Sequence, residues 1–477
     1  MKRTTFSREN FIWALYLGAY LGLAVVLALF QPAVDPLHDP GYMPPDEHFR
    51  YLIPKFIYTH GALPTGLEEE VRITGCGFSY GLYNVLPYII QAGVMKIVSF
   101  FTVSEGALLL AARMTNVGFG LVMAIVIVKL AKRLFTEPVY AWLMACAITF
   151  LPENLFVHSY VNTDSASLLS VALMLYALVW AYQDGFRVSN SLVLSLGVIL
   201  CALSYYNTYG FILGSIVLFI GYHISRKDGK VQFAYQPFLR YGALICIVVL
   251  LGIGWWFIRA YIVLDGDFLG LSTKRELALL YAFDEVSPLN TYRARGYTIM
   301  EMFAEHPDFS ECLYNSFVAT YGTLSIPGTW SIYASYKVFF LMGIFGIIIE
   351  IIGRVYDRIR GAYQYDRRAV MSAKEVLFHI VMVVCMILPL VILIRYCYTM
   401  DYQHQGRYLL SASIPLMYYM VRGFRYLANL RIGPVQWPAF LVKIALVIAY
   451  VIAIEASFQM VFVQALPKYL EVLQFAG

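Results

Sequence analysis

The chain has 477 residues, a formal net charge of +5, 60% hydrophobic residues and only 14% charged ones, and its mean hydropathy is +0.66. That composition excludes a soluble globular protein. The modest positive balance sits mostly in loops, which points to membrane orientation and excludes a nucleic-acid binder.

The first apolar stretch, 11–30, is long enough to cross a hydrocarbon slab of about 30 Å. It follows Lys2, Arg3 and Arg8 and has no small-residue cleavage site after it, so it reads as a retained helix rather than a removed signal. Next comes MPPDEHFRY at 43–51. Pro44 and Pro45 suit the approach to a helix, Asp46 suits its N-cap, and the helix runs from Glu47 towards His60. Phe49, Ile53, Phe56 and Ile57 form its expected apolar face, and Asp46 and Arg50, four apart, can pair.

Further apolar stretches follow at about 107–128, 139–158, 165–183, 190–205, 210–224, 239–262, 336–353, 376–396, 408–421 and 437–458. The ambiguous stretch is 82–100, which carries Pro87, Gln91, Gly93 and Lys96. Charge decides its place. With the N-terminus cytoplasmic and 82–100 not spanning, KLAKR (129–133), Arg187, SRKDGK (225–230), the run from Arg354 to Lys374 and RGFRYLANLR (422–431) all face the cytoplasm. If 82–100 spanned, all five would face out. The expectation is therefore an all-α polytopic membrane protein of about eleven spans, C-terminus outside, with 82–100 dipping into the outer interface and Lys96 snorkelling. Three units are expected: 1–261 with a first outer loop at 31–106, a folded cover at 262–335 carrying a short helix from Thr298 to His306, and 336–477. The seven cysteines show no CxxC or zinc spacing. A disulfide among Cys76, Cys312 and Cys397 is left open.

This topology gathers four ionisable segments on the outer face. In 46–50, Asp46, Glu47, His48 and Arg50 are packed at a membrane mouth, where charge is costly unless paired or used. In LPENLFVHSYVNTDSAS (151–167), Glu153 and His158 lie in or near a span, and Asn162 or Asp164 caps the helix that follows. In HQGRYLL (404–410), Arg407 offers a fork that suits phosphate oxygens, or an interfacial anchor together with Tyr408. His404 adds a second possible phosphate contact, and Arg293 and Arg295 are weaker ones. Carboxylates that accept a proton or hold a cation, a guanidinium that neutralises a leaving phosphate, and aromatic faces for sugar or isoprenoid together suit glycosyl transfer from a lipid phosphate to a hydroxyl. There is no Walker or Rossmann glycine pattern.

DEHFRYLIPKFIYTHGALP (46–64) resembles the first outer loop of GT-C glycosyltransferases, YGLYNVLPYIIQA (80–92) their juxtamembrane helix, ARMTNVGFG (112–120) the start of their second span, and HSYVNTD (158–164) their second acidic motif. PPDE, VNTD and GRYLL together look closest to the bacterial membrane family called domain-of-unknown-function 2142. The resemblance covers 1–185, returns around 400–415 and is weak between. His48 follows Asp-Glu at once, where that family places a histidine a few residues later. The resemblance implies a GT-C-like bundle in the bacterial cytoplasmic membrane with its site outside. It implies a polyprenyl-phosphate sugar as donor, inversion at the anomeric carbon, and a glycan, glycolipid or protein hydroxyl as acceptor. Asp46 would be the base or would orient the acceptor, with Glu47 beside it, Asp164 would be the second acidic residue, and Arg50, His158, Asn162, His404, Arg407 and Tyr408 would surround the substrate. A divalent cation is left open, with Asp46 and Asp164 its candidate ligands. Two other classes stay on the page: a transporter or flippase of lipid-linked saccharides, which would favour midplane charges and repeated halves, and a sugar polymerase or ligase of another membrane fold.

Overall fold

The computed structural model describes residues 8–32, 41–83, 85–227, 230–359, 371–432, 435–436 and 439–475. Lys2, Arg3 and residues 360–370 of the basic run lie outside them. Helices dominate: α1 (Arg8–Phe30), α2 (Glu47–His60), α3 (Leu86–Val98), α4 (Glu105–Leu134), α5 (Pro138–Thr149), α6 (Pro152–Val157), α7 (Asp164–Asp184), α8 (Val188–Ala202), α9 (Tyr209–Tyr222), α10 (Tyr235–Val263), α11 (Leu271–Tyr281), α12 (Ile299–Glu305), α13 (Phe309–Val318), α14 (Trp330–Ile359), α15 (Ala373–Thr399), α16 (Ser413–Ala428), α17 (Ala439–Phe458) and α18 (Leu466–Phe475). Antiparallel hairpins β1–β2 (Ile224–Lys227, Lys230–Phe233) and β3–β4 (Thr320–Tyr321, Ile326–Pro327) add short ribbons.

Seven helices among the described residues are long and apolar enough to cross a membrane, and α5, α8 and α9 are shorter apolar helices. The expected single span at 139–158 is corrected to two helices. Pro152 has no N–H to continue α5, and Leu151 before it is extended at φ −62°, ψ 120°. The span expected at 437–458 runs on through a π-helical stretch, Gln459–Ala465, into α18.

Ion pairs mark one end of the bundle. Lys132 reaches Glu9 at 2.5 Å, Arg133 reaches Asp184 at 3.1 Å and Arg425 reaches Glu137 at 2.8 Å. Near that end, Glu350 of α14 holds Arg422 of α16 through two bonds of 2.7 and 2.9 Å, and the Arg422 fork also meets His379 Nε2 of α15 at 2.8 Å. Helices α14 and α16 touch backbone to backbone. A Cβ on Gly423 would stand 2.0 Å from Gly343 O, so only small residues fit. Both ends of α3 lie at the other end of the bundle. Leu86 N–H bonds Leu203 O at 3.2 Å, and α4 opens at Glu105, paired with Lys55 of α2 at 2.9 Å. Thirteen residues span about 20 Å, too short for a crossing. Lys96 rests over the Tyr58 ring at 5.5 Å.

Burial separates centre from rim. α7 is buried along most of its length, whereas α10 buries only Trp256 and Ala260 and exposes Leu239, Ile247, Leu250, Leu251, Ile258 and Ile262. A helix apolar all round with so little protein against it suits contact with lipid. The segment after α10 folds over the bundle end as α11 to α13 and β3–β4. The helix expected from Thr298 is there, held by a reciprocal capping box in which Thr298 Oγ1 accepts from Glu301 N–H and Glu301 accepts from Thr298 N–H. All seven cysteines are free thiols.

Candidate functional site

Helix α2 has the expected bounds but a different inner face. Its buried stripe is Glu47, Arg50, Tyr51 and Pro54, at helical spacing, with Ile53. The polar side turns inward because Arg113 of α4 waits there. Arg113 Nε and Nη2 donate to the two Glu47 oxygens at 2.9 and 2.5 Å, and Val161 N–H donates to Oε1 at 2.8 Å. Arg113 also donates to the carbonyls of Ala28, Gln31 and Pro32 at 2.9–3.1 Å, tying the end of α1 to α2 and α4. Both side chains are under 5% exposed. Glu47, expected beside the chemistry, is thus fully spent on a buried structural pair. The charge in ARMTN inside a span was the signal for this partner.

Asp46 faces the other way. It sits at the N-cap position but at φ 60°, ψ 3°, and its side chain makes no cap bond. A left-handed residue at that point lets two neighbouring carboxylates diverge, and Asp tolerates it better than most. The Asp46 carboxylate meets Arg407 Nη2 at 3.2 Å across 361 positions of sequence. The pairing expected with Arg50 is replaced. Arg50 donates to Thr163 Oγ1 at 3.2 Å, lies 4.0 Å from Asp164 Oδ2, and stacks over Tyr80 at 4.5 Å. Burial pushes the Tyr80 phenol up, Asp46 adds to that, and Arg50 opposes it, so the ring stays a neutral donor.

Arg407 is 7% exposed. Besides Asp46 it donates to Tyr160 Oη at 3.3 Å and Tyr408 Oη at 3.2 Å, and the Tyr408 hydroxyl in turn donates to Gln403 Oε1 at 2.6 Å. Nε of Arg407 and Nε of Arg50 are buried with no hydrogen-bond partner among the described residues, so two charge-assisted donors are unspent. Asp164, Ser167, Tyr205, Asn207, Arg407 and Tyr408 line one narrow cleft, closed down to about 10 Å³, room for about one water. Tyr80, Tyr83 and Tyr206 continue the aromatic wall with ring separations of 6.1 and 5.8 Å. Beyond Tyr83, Lys274 of α11 lies 5.2 Å from that ring and 4.2 Å from Phe78. Burial pulls its ammonium down to about 8, against weaker opposing effects of Cys76 and Asp401.

Three expected substrate contacts stand elsewhere. Asn162 is fully buried and caps α7 by accepting Ser165 N–H at 3.0 Å, while its amide donates to Val157 O and Tyr160 O. His158 is fully buried with Nδ1 2.7 Å from Asn154 O. His404 packs on Tyr402 and Phe309, 3.8 Å from Asp308, and burial lowers its basicity against the pull of that carboxylate. Arg293 and Arg295 are exposed on the cover. No group of three or more His, Cys, Asp or Glu side chains among the described residues can hold a metal. Asp46 and Asp164 each face a guanidinium instead, so this pair of carboxylates is a poor cage for a cation and no step is routed through one.

Solved structures share this architecture. An Archaeoglobus fulgidus oligosaccharyltransferase in its apo form aligns at a TM-score of 0.52 with 13% identity, over 96% of this chain and 56% of that one. The archaeal oligosaccharyltransferase AglB from Archaeoglobus fulgidus, in complex with an inhibitory peptide and a dolichol-phosphate, aligns at 0.50 with 14% identity, over 97% and 56%. The chain thus spans a little over half the length of these enzymes. Its fold is that of an all-α polytopic membrane protein of GT-C type. No family model and no curated protein sequence matches the chain.

Proposed function

We propose that this protein is a membrane glycosyltransferase that moves a sugar from a polyprenyl monophosphate to a hydroxyl acceptor. One observation carries the reading. Asp46 and Arg407, 361 positions apart, meet at 3.2 Å beside a tyrosine-walled cleft that Asp164 also lines. The GT-C fold supports it, as does the lipid phosphate bound by AglB. Arg407 takes the donor phosphate with its fork, and the phosphate displaces Asp46 from the guanidinium. The freed Asp46 carboxylate accepts the proton of the acceptor hydroxyl as that oxygen bonds to the anomeric carbon. The carbon–oxygen bond to phosphate breaks, and polyprenyl phosphate leaves with the bonding pair, its charge held by Arg407. A single displacement inverts the anomeric centre. Asp164 holds Arg50 in place and offers its outer oxygen to donor-sugar hydroxyls. Glu47 leaves the catalytic set and belongs to the scaffold.

The site faces the outside of a bacterial cytoplasmic membrane in this reading, with the N-terminus inside, because the basic loops gather at the opposite end. The 262–335 segment reads the acceptor, between the membrane units 1–261 and 336–477. The likeness of PPDE, VNTD and GRYLL to the 2142 family belongs to the same proposal and rests on those motifs alone. The test is to incubate purified protein in nanodiscs with a panel of polyprenyl-phosphate sugars and measure release of polyprenyl phosphate. Release from one of them, lost in Asp46→Asn, supports the reading. No release from any, with the lipid instead crossing the bilayer, leaves the transporter.

A further inference from the structure

Behind Arg407 lies a second cavity, of about 250 Å³, on the cover segment. Asp308, Glu311, Cys312, Asn315 and Ser316 of α13 and its start line one side, and Thr320 of β3 with Tyr333 closes the other. It abuts the candidate site through two bonds. Gly406 N–H donates to Ser316 Oγ at 2.7 Å, one residue before Arg407. Thr320 N–H donates to Glu153 Oε2 at 3.1 Å, on the same α6 segment that leads to Tyr160 and its contact with Arg407. The approach is close enough that a Cβ on Gly406 would lie 2.2 Å from Leu313 O and Phe317 N, so α13 is seated directly on the Arg407 turn.

The chemistry of the two hollows differs. The cleft holds Arg407 with Asp164. The cavity holds two carboxylates and no Lys or Arg among its lining residues. A phosphate entering it would meet like charge, whereas hydroxyl groups would meet acceptors at Asp308 and Glu311 and both kinds of partner at Asn315. Glu311 is exposed at the rim and Asn315 is half-buried beneath it, so both are open to a ligand entering the cavity. The volume is just under the low end of small-molecule pockets, about 300 Å³. It suits one or two sugar rings and not an extended peptide.

We infer that this cavity, floored by Ser316 and Thr320 and rimmed by Asp308 and Glu311, binds an uncharged sugar. If the transferase reading holds, that sugar is a unit of the acceptor glycan remote from the hydroxyl that meets Asp46; that role rests on the reading, and the binding site does not.

Cys312 makes the test direct, because its thiol lines the cavity in the natural sequence. Wild-type protein in phosphatidylcholine nanodiscs is treated with N-ethylmaleimide, and alkylation of Cys312 is followed by peptide mass spectrometry with Cys76 as the internal control. Glucose and arabinose form one arm, octyl β-glucoside a second and farnesyl phosphate a third. Sugar at about ten times its Kd leaves about a tenth of the sites free and slows Cys312 about tenfold, with Cys76 unchanged. Protection by free sugar identifies a saccharide, and protection by the alkyl glycoside alone identifies a glycolipid headgroup. Protection by farnesyl phosphate, or by none of the three, overturns the inference. Asn315→Trp fills the cavity and must abolish the protection, and protection that persists there overturns it as well. Lost protection with donor turnover intact retires the cavity alone; protection with no donor turnover retires the transferase alone.

Discussion

Exchanging each of two adjacent carboxylates for its amide should have opposite consequences. Glu47 is 3% exposed, and its two oxygens take three charge-assisted or backbone bonds from Arg113 and Val161. Glu47→Gln keeps the shape, removes the charge and leaves a buried guanidinium 4% exposed without its counter-ion. Breaking such a pair by changing one partner costs roughly 3–5 kcal/mol. Asp46 is 31% exposed and makes one 3.2 Å contact. Its partner Arg407 is only 6% exposed, but the amide oxygen of Asn can still accept from that guanidinium, so Asp46→Asn should cost about 1–3 kcal/mol, less than Glu47→Gln. Turnover of Asp46→Asn should fall about 100-fold or more, as for removal of a positioned base. Thermal unfolding followed by tryptophan fluorescence in detergent, beside donor consumption, reads both effects. The double variant Glu47→Gln/Arg113→Met should be more stable than Glu47→Gln alone, because the orphaned charge is gone. The reasoning is refuted if Glu47→Gln melts like wild type, or if Asp46→Asn is the less stable of the two.

Arg407→Lys keeps the charge but loses the fork, and should raise the donor KM at least about tenfold, since one bidentate contact becomes a point charge; an unchanged KM removes Arg407 from the phosphate. Gly406→Ala forces a methyl against the backbone of α13, and should cost about 1–3 kcal/mol or more by overpacking and lower turnover with it; equal melting and activity would show that α13 yields freely. Lys274 has a folded pKa near 8, below its ordinary value of 10.5. The folded state therefore binds fewer protons than the unfolded one between those limits, and stability contributed at this site rises as pH climbs through about 8 to 10.5. Lys274→Met should stabilise the protein at pH 7, and the gain should shrink across that window in melts taken from pH 7 to 10. A gain that stays constant with pH assigns the effect to packing.

Much of the architecture was legible because membrane physics writes it in long runs. The apolar stretches became helices, and parity with the basic loops placed α3 at one end, where its 13 residues stay. The break at Leu151–Pro152 was legible from Pro152 but was subsumed in the hydropathy of the run. Of the site, the meeting of Asp46 and Arg407 followed from sharing one membrane face. What sequence could not assign was direction within that face. Glu47 and Asp46 differ by one position, and only the partner Arg113, 66 positions away, decides which carboxylate is buried. Likewise the sequence left the cap open between Asn162 and Asp164, and Asn162 takes it while Asp164 lines the cleft. His404 looked like a companion of Arg407, but the turn at Gln405 and Gly406 sends it into the aromatic cluster around Tyr402.

If Arg407 receives the donor phosphate, it must release Asp46. A cryo-EM structure of the protein in nanodiscs with a polyprenyl phosphate measures this directly. Phosphate oxygens about 2.7–2.9 Å from the Arg407 guanidinium, with the Asp46 carboxylate swung away from it, are the predicted result. A phosphate seated elsewhere, with the 3.2 Å pair of Asp46 and Arg407 intact, would contradict it.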